Sequence, residues 1–308
     1  MKQLFTPKIN GFLVANLVAL TILGITMAVA SSSDGMSGKS NLYIFSEFVI
    51  IPMLIGIISA SFWRNLNLNS RKLTSYSFYN TMIAVFLSGV FLEEGVICLI
   101  IVSPLLWVFT LAGTFLGRKM FRKNNQKLNI SIVSLMLAVF IADARSEHHY
   151  ENEVSDVVVI NAPVAEVWQH VVAFKRIEEK NKYWLFKAGL PSPVEATVDG
   201  YHVGAGRKCI FSNGYVFDEK IVTYDENRNL TFDITRQPRD PEIMGHIDIL
   251  RGQFILKDNG DNTTTLIGNS SYRLYVFPVW YYDTWAQSIV RNVHLRVMAH
   301  IKQLSENK

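Results

Sequence analysis

The stretch 160-INAPVAEVWQHVVAF-174 decides how the second half of this chain is read. It runs from the end of a strand-like segment, "DVVVI" (156–160), through Asn161, Ala162 and Pro163 into an amphipathic helix. Proline is tolerated in the first turn of a helix, so Pro163 marks its start. Val164, Val167, Trp168, Val171 and Val172 recur at helical spacing and define one buried face, with His170 off it. Alternating segments follow at about 194–199, 206–212, 215–224, 229–236, 246–257 and 263–275. Turn signals separate them: "SNG" (212–214), "DENRN" (225–229), "PRDP" (238–241) and "NGDN" (259–262). Short connections of this kind imply an antiparallel sheet. After Pro278 a long helix is expected over about 279–305, with Trp285, Ile289, Val293, Val297, Ile301 and Leu304 along one side. The order predicts an α+β domain over 154–308: a curved antiparallel sheet around a long C-terminal helix, with room for a cavity between them.

Upstream, the composition changes. Residues 1–127 carry eleven Lys/Arg and four Asp/Glu, whereas 128–308 carry nineteen and twenty-two. The halves therefore differ in sign, +7 against −3. A membrane-crossing helix needs roughly 20 mostly apolar residues. By that measure an α-helical membrane bundle of about five spans is expected, at 10–30, 42–62, 76–92, 96–117 and 128–144, with the last at the lower limit of length. The division between the third and fourth rests on Glu93 and Glu94, which are costly at mid-bilayer and read as a turn at the far surface. The first segment is too long for a signal peptide and is read as an anchor. Glu47, near the end of an apolar segment, is as readily a snorkelling side chain as part of an ion path.

With five spans, Lys2, Lys8, Arg64, Arg71, Lys72, Arg118, Lys119, Arg122, Lys123 and Lys127 fall on one side, and Lys39 alone on the other. That asymmetry places the N-terminus in the cytoplasm of a bacterial cell. The globular half then lies outside the cytoplasm if the fifth segment crosses, and inside if that segment rests in the interface; the first arrangement is preferred. The run "RKMFRKNNQK" (118–127) reads as a juxtamembrane loop facing anionic lipid, with no nucleic-acid partner. A polar linker is expected over 145–153. His148 and His149 beside Glu147 and Glu151 are solvated there, with no metal. Cys98 and Cys209 lack the companions of a zinc site or a disulfide framework.

The segments "VVVINAPVAEVW", "VGAGRKCIFSNG", "RNLTFDI", "RGQFIL…TTTLIGNSSYRL" and "WAQSIVRNVHLRVMAHIKQL", taken in order, resemble the SRPBCC superfamily, which includes START-type lipid-binding and polyketide cyclase/dehydrase-like domains. The resemblance covers about 153–306 and not the membrane half. It implies a helix-grip fold with a deep, mostly apolar pocket. It implies no universal catalytic residues, and no cofactor is expected.

Strand alternation suggests which side chains face inward. Tyr215, Phe217, Glu219 and Ile221 share one face, and Arg207, Cys209 and Phe211 another. If both are internal, Arg207 and Glu219 form a buried ion pair or hold a polar ligand head, and the carboxylate becomes a candidate acid or base; the alternative is a salt bridge at the rim. On 246–256, His246, Asp248, Leu250 and Phe254 oppose Ile247, Ile249, Arg251 and Ile255, so either His246 or Arg251 faces inward, not both. His294 and His300 flank the apolar stripe of the last helix and read as structural. Trp184 and Phe186 belong to a region that covers the pocket mouth in similar proteins; Tyr272, Tyr282 and Trp285 are further lining candidates. "GAG" (204–206) lacks the pattern of a nucleotide loop. No serine sits in a nucleophile-elbow context, so no Ser-His-Asp arrangement is expected. The candidate ligand residues are thus Trp184, Phe186, Arg207, Phe217, Glu219, Tyr272, Tyr282 and Trp285, with Glu219, Arg207 and His246 as candidate catalytic groups. The preferred reading is a membrane-anchored binding module for a lipid or other hydrophobic small ligand, acting in transfer or sensing. A cyclase, dehydrase or hydrolase using the same pocket, and a protein-interaction scaffold, stand as alternatives.

Overall fold

The computed structural model describes residues 6–33, 46–91, 95–123, 126–143, 149–238 and 246–307. Lys2, Asp34, Lys39, the Glu93–Glu94 turn, Glu147, His148 and all but Pro238 of the "PRDP" turn lie outside the described residues. Two compact units are present, one over Met1–His148 with Val276–Pro278 and the other over His149–Tyr275 and Val279–Lys308.

In the first unit, α1 is Pro7–Ser33, and a π-helical turn, Ser46–Ile50, runs into α2, Ile51–Trp63. Then come α3 (Ser70–Phe91), α4 (Val96–Lys123) and α5 (Gln126–Asp143). Helices that cannot rely on the hydrophobic effect associate through small residues and polar links. Both occur here. A Cβ on Gly56 of α2 would stand 2.2 Å from the Thr110 carbonyl oxygen of α4, and one on Gly113 would stand 2.1 Å from that of Met53. The two backbones therefore touch. Asn16 Nδ2 of α1 donates to Asn80 Oδ1 of α3 (2.7 Å), Asn80 Nδ2 donates to Ser59 Oγ of α2 (2.7 Å), and Ser59 Oγ donates to the Gly11 carbonyl (2.9 Å).

Among the described residues, three helices rather than five are long and apolar enough to cross a membrane: Pro7–Ile25, Ser46–Trp63 and Val96–Arg122. The expected spans at 76–92 and 128–144 do not qualify. The helix α3 opens on "SRKLTSYS", so its apolar part, 78–91, falls short of the roughly 20 residues a crossing needs. The apolar part of α5 is only Ser134–Asp143. The charge argument changes with it. If three helices cross, the basic end of α4 moves to the side of Lys39, and the ten-to-one asymmetry becomes five Lys/Arg against six. The expected orientation loses its support.

The second unit begins with β1, Tyr150–Ile160, so residues 150–153, expected in the linker, belong to the sheet. Pro163 takes the N-cap position of α6, Val164–Val172, whose Val167, Trp168, Val171 and Val172 are buried. A short helix α7 (Trp184–Lys187) leads to β2 (Pro193–Val198), β3 (Gly206–Phe211), β4 (Val216–Asp225), β5 (Asn229–Arg236), β6 (Ile247–Asp258), β7 (Thr264–Leu274) and α8 (Val279–Glu306). The seven strands form one sheet in the order β1-β7-β6-β5-β4-β3-β2, every neighbouring pair antiparallel. This is the helix-grip arrangement.

The solid core lies where α6 and the C-terminal half of α8 meet the sheet. Val167, Val171, Leu230, Ile221, Leu266, Met298 and Ile301 have no exposed surface there, and Trp168 packs edge-on against Tyr224 at 5.3 Å. Polar groups of α8 hold the irregular chain between α6 and β2. Arg296 Nε donates to the Pro193 carbonyl (2.9 Å), and His300 Nε2 lies 3.1 Å from the Lys175 carbonyl. Replacing Ile301 by Ala is expected to destabilise the second unit by about 2–5 kcal/mol, because a fully buried side chain leaves a cavity that its neighbours cannot close. Urea unfolding followed by tryptophan fluorescence measures the loss.

Candidate functional site

Against the middle of α8, residues 289–297, the space between helix and sheet is not filled. It is a cavity of about 160 Å³. From β3 come Arg207, Cys209 and Phe211, and from β4 and the turn before it Tyr215, Phe217 and Glu219. Phe232 and Ile234 of β5 and Ile247, Ile249 and Phe254 of β6 continue the wall, and Ser270 of β7 completes it on the sheet side. The helix contributes Ile289, Val290, Val293, His294 and Val297; Phe174, Leu190, Pro191 and Pro238 close the remainder. Nearly all of these are apolar, with two polar ends.

The first polar end is Arg207 with Glu219. The two sit opposite each other on β3 and β4. Arg207 Nη1 donates to Glu219 Oε2, Arg207 Nε donates to the Val172 carbonyl (3.0 Å), and both side chains are almost wholly buried. The guanidinium lies 4.6 Å over the ring of Phe232. That ring needs Gly252, since a Cβ there would stand 2.4 Å from a Phe232 ring carbon. Burial pushes the Glu219 carboxyl above its ordinary value, and the facing Arg207 offsets only part of this. Burial, with Glu219 adding to it, pushes the Cys209 thiol up to about 12, so this cysteine is a protonated wall residue rather than a thiolate.

The second polar end is His294. Its Nδ1 lies 3.1 Å from Asp156 Oδ2 of β1, and its Nε2 lies 2.7 Å from Ser270 Oγ. Arg291 Nε donates to the other Asp156 oxygen at 2.6 Å. Burial lowers the His294 pKa below the ordinary 6.5, against the opposing pull of Asp156.

Of the candidate ligand residues named from sequence, Arg207, Phe217 and Glu219 line the cavity together, and Trp184, Phe186, Tyr272, Tyr282 and Trp285 are not in its wall. Trp184 is exposed and meets the edge of Trp285 at 6.2 Å, and Phe186 is buried beside Tyr183. Tyr272 is fully buried, with its hydroxyl donating to Asp283 Oδ1 at 2.5 Å. Tyr282 is buried near the start of α8.

Neither His246 nor Arg251 faces the cavity. Ile249 pairs with Tyr272 and Arg251 with Ser271, which leaves Leu250 as an extra residue. This bulge breaks the alternation, so Ile247 and Ile249 face inward together with Gly252 and Phe254. Arg251 turns out to Asp233 at 2.6 Å. The lining also includes Ser270 and His294 as a pair, which sequence reading did not join.

The model of the polyketide cyclase/dehydrase and lipid transport family matches residues 151–306, and the chain belongs to that family. Its second unit is therefore a hydrophobic-ligand-binding module. No curated protein matches the chain. Among solved structures, a protein from Nitrosospira multiformis is 21% identical, with 46% of this chain and 93% of that one covered at a TM-score of 0.30. Norcoclaurine synthase from Thalictrum flavum is 12% identical, with 52% and 89% covered at a TM-score of 0.35. A protein from Bacillus thuringiensis is 14% identical, with 49% and 97% covered at 0.34. Likenesses this distant add nothing to the family match.

Breaking a buried ion pair from one side leaves an uncompensated charge. Arg207→Leu is expected to cost about 3–5 kcal/mol at neutral pH, and Arg207→Leu with Glu219→Leu less than the single change. Glu219 also has a pH signature. Its value is raised in the folded chain, so its contribution to stability is full below the ordinary 4.5 and is lost as pH rises through the raised value. Urea unfolding across that window should show this falling limb in the native protein and not in Glu219→Gln.

Proposed function

We propose that the chain is a membrane-anchored carrier or sensor for a lipid or other apolar small molecule, which its second unit holds in the cavity. The observation that carries this reading is the cavity wall. Phenylalanine, isoleucine, valine and proline side chains make most of it, and the charges of Arg207 and Glu219 are already satisfied by each other. Such a surface offers little to a strongly charged ligand and much to an apolar one. The volume, about 160 Å³, is close to that of an engineered apolar cavity of about 150 Å³ that takes benzene. A cavity of this volume suits one ring or a short acyl segment, and a longer ligand has to widen it or extend out of it. The three apolar helices of the first unit support anchoring, since each is long enough to cross a bilayer.

The full chain, extracted in mild detergent and released for native mass spectrometry, should carry an apolar small-molecule mass. Val293→Trp, which fills the cavity from α8, should fold at a cost of about 1–3 kcal/mol and lose that mass. A folded native chain that stays empty when offered a membrane lipid extract would sink the reading. Anchoring is checked separately: the chain should remain in the membrane pellet after an alkaline carbonate wash.

A further inference from the structure

Holding an apolar ligand does not require the arrangement at His294. The ring reaches from α8 between Asp156 on β1 and Ser270 on β7, at 3.1 Å and 2.7 Å. A carboxylate can only accept hydrogen bonds, so the proton of the neutral ring sits on Nδ1 and is donated to Asp156 Oδ2. The other nitrogen, Nε2, is then a bare lone pair, and Ser270 Oγ must be the donor in the shorter contact. Arg291 on the second carboxylate oxygen, at 2.6 Å, fixes the direction in which Asp156 faces the ring. Ser270 and His294 both line the cavity, so a ligand held there is within reach of them. Each distance lies within the reach expected of a nucleophile, its base and the group that orients the base.

The geometry points to an acyl-transfer site in which Ser270 attacks the carbonyl carbon of an ester or thioester whose apolar acyl group occupies the cavity. As the Oγ–carbon bond forms, His294 Nε2 takes the Oγ proton, and Asp156 holds the resulting imidazolium through Nδ1–H. Collapse of the tetrahedral adduct breaks the bond to the alcohol or thiol, which leaves with the proton from Nε2. Water then attacks the acyl-serine, giving its proton to the same nitrogen. Release of the carboxylic acid returns that proton to Ser270 Oγ. One ester and one water become one acid and one alcohol, with no change of oxidation state. The cavity volume and its Phe, Ile and Val walls select a short or aromatic acyl group. Ser270 and His294 are the catalytic residues; Asp156 is a positioning residue. The inference rests on the apolar-ligand reading for the acyl group.

The test uses the full chain in detergent, with an alkyl fluorophosphonate as a covalent probe and p-nitrophenyl butyrate as substrate. The expected result is one phosphonyl adduct, placed on Ser270 by peptide mass spectrometry, and ester hydrolysis that falls at least a hundredfold in Ser270→Ala and His294→Gln. Asp156→Asn should lower kcat at least tenfold and leave KM near its native value; a raised KM with kcat unchanged would overturn its positioning role. Ser270→Cys keeps the shape of the site should Ser270→Ala fail to fold. The thiol that this change introduces should take up iodoacetamide, and more slowly once His294→Gln is added. A folded native chain with no adduct and no hydrolysis overturns the inference, as does hydrolysis that survives in Ser270→Ala. If such a chain still retains an apolar mass, only the acyl-transfer site fails; if it retains none, the cavity reading fails with it.

Discussion

One long helix cannot be covered evenly by one short one. At a rise of about 1.5 Å per residue, α8 runs about 42 Å along the sheet, whereas α6, with nine residues, spans about 13 Å. Where α6 lies against α8, Val167, Trp168, Val171 and Val172 complete a buried core. Beyond its reach the curved sheet and the helix face each other without a third layer. The cavity follows from this mismatch, and the residues that line it are those a core would have used had there been a helix to meet them.

Within that space the polar groups are arranged so that few are left to water. Arg207 and Glu219 satisfy each other, and Arg207 is further held by the Val172 carbonyl and the face of Phe232. Asp156, His294 and Ser270 form a second closed set, with Arg291 outside it. A buried network is stable only when every member is satisfied. The two sets differ in what they present to a ligand. The ion pair turns its charges upon itself. The serine and the histidine both line the space a ligand would fill.

Much of this was legible in the sequence where the backbone follows a simple period. Over 207–211 and 215–221 the strands alternate, so Arg207, Phe217 and Glu219 could be assigned to shared faces from the sequence, while the choice between a buried pair and a salt bridge at the rim needed the structure. The helix after Pro163 was equally plain from its valines and Trp168. Alternation failed on β6, because the extra Leu250 changes parity midway and hydropathy does not register a bulge. The pairing of Ser270 with His294 and Asp156 was hidden for another reason. The last two are 138 residues apart, and Ser270 lies within a strand rather than at a sharp turn, so no local pattern announces it. Among the apolar helices, length and composition had to be judged together: α3 is long enough, but its first two turns are too polar.

The bulge at Leu250 has a consequence for how such a cavity can vary. A residue left over in a strand can be removed without turning its neighbours round, so Ile249 and Gly252 would keep their faces if it were lost. What would change is the bend of β6, since bulges increase local twist and curvature. Two further irregularities lie in the pairing of β4 with β5, between Asp218 and Glu219 and between Ile221 and Thr223. Ligand size in this architecture can therefore drift through single-residue insertions and deletions inside strands, with every lining side chain left in place.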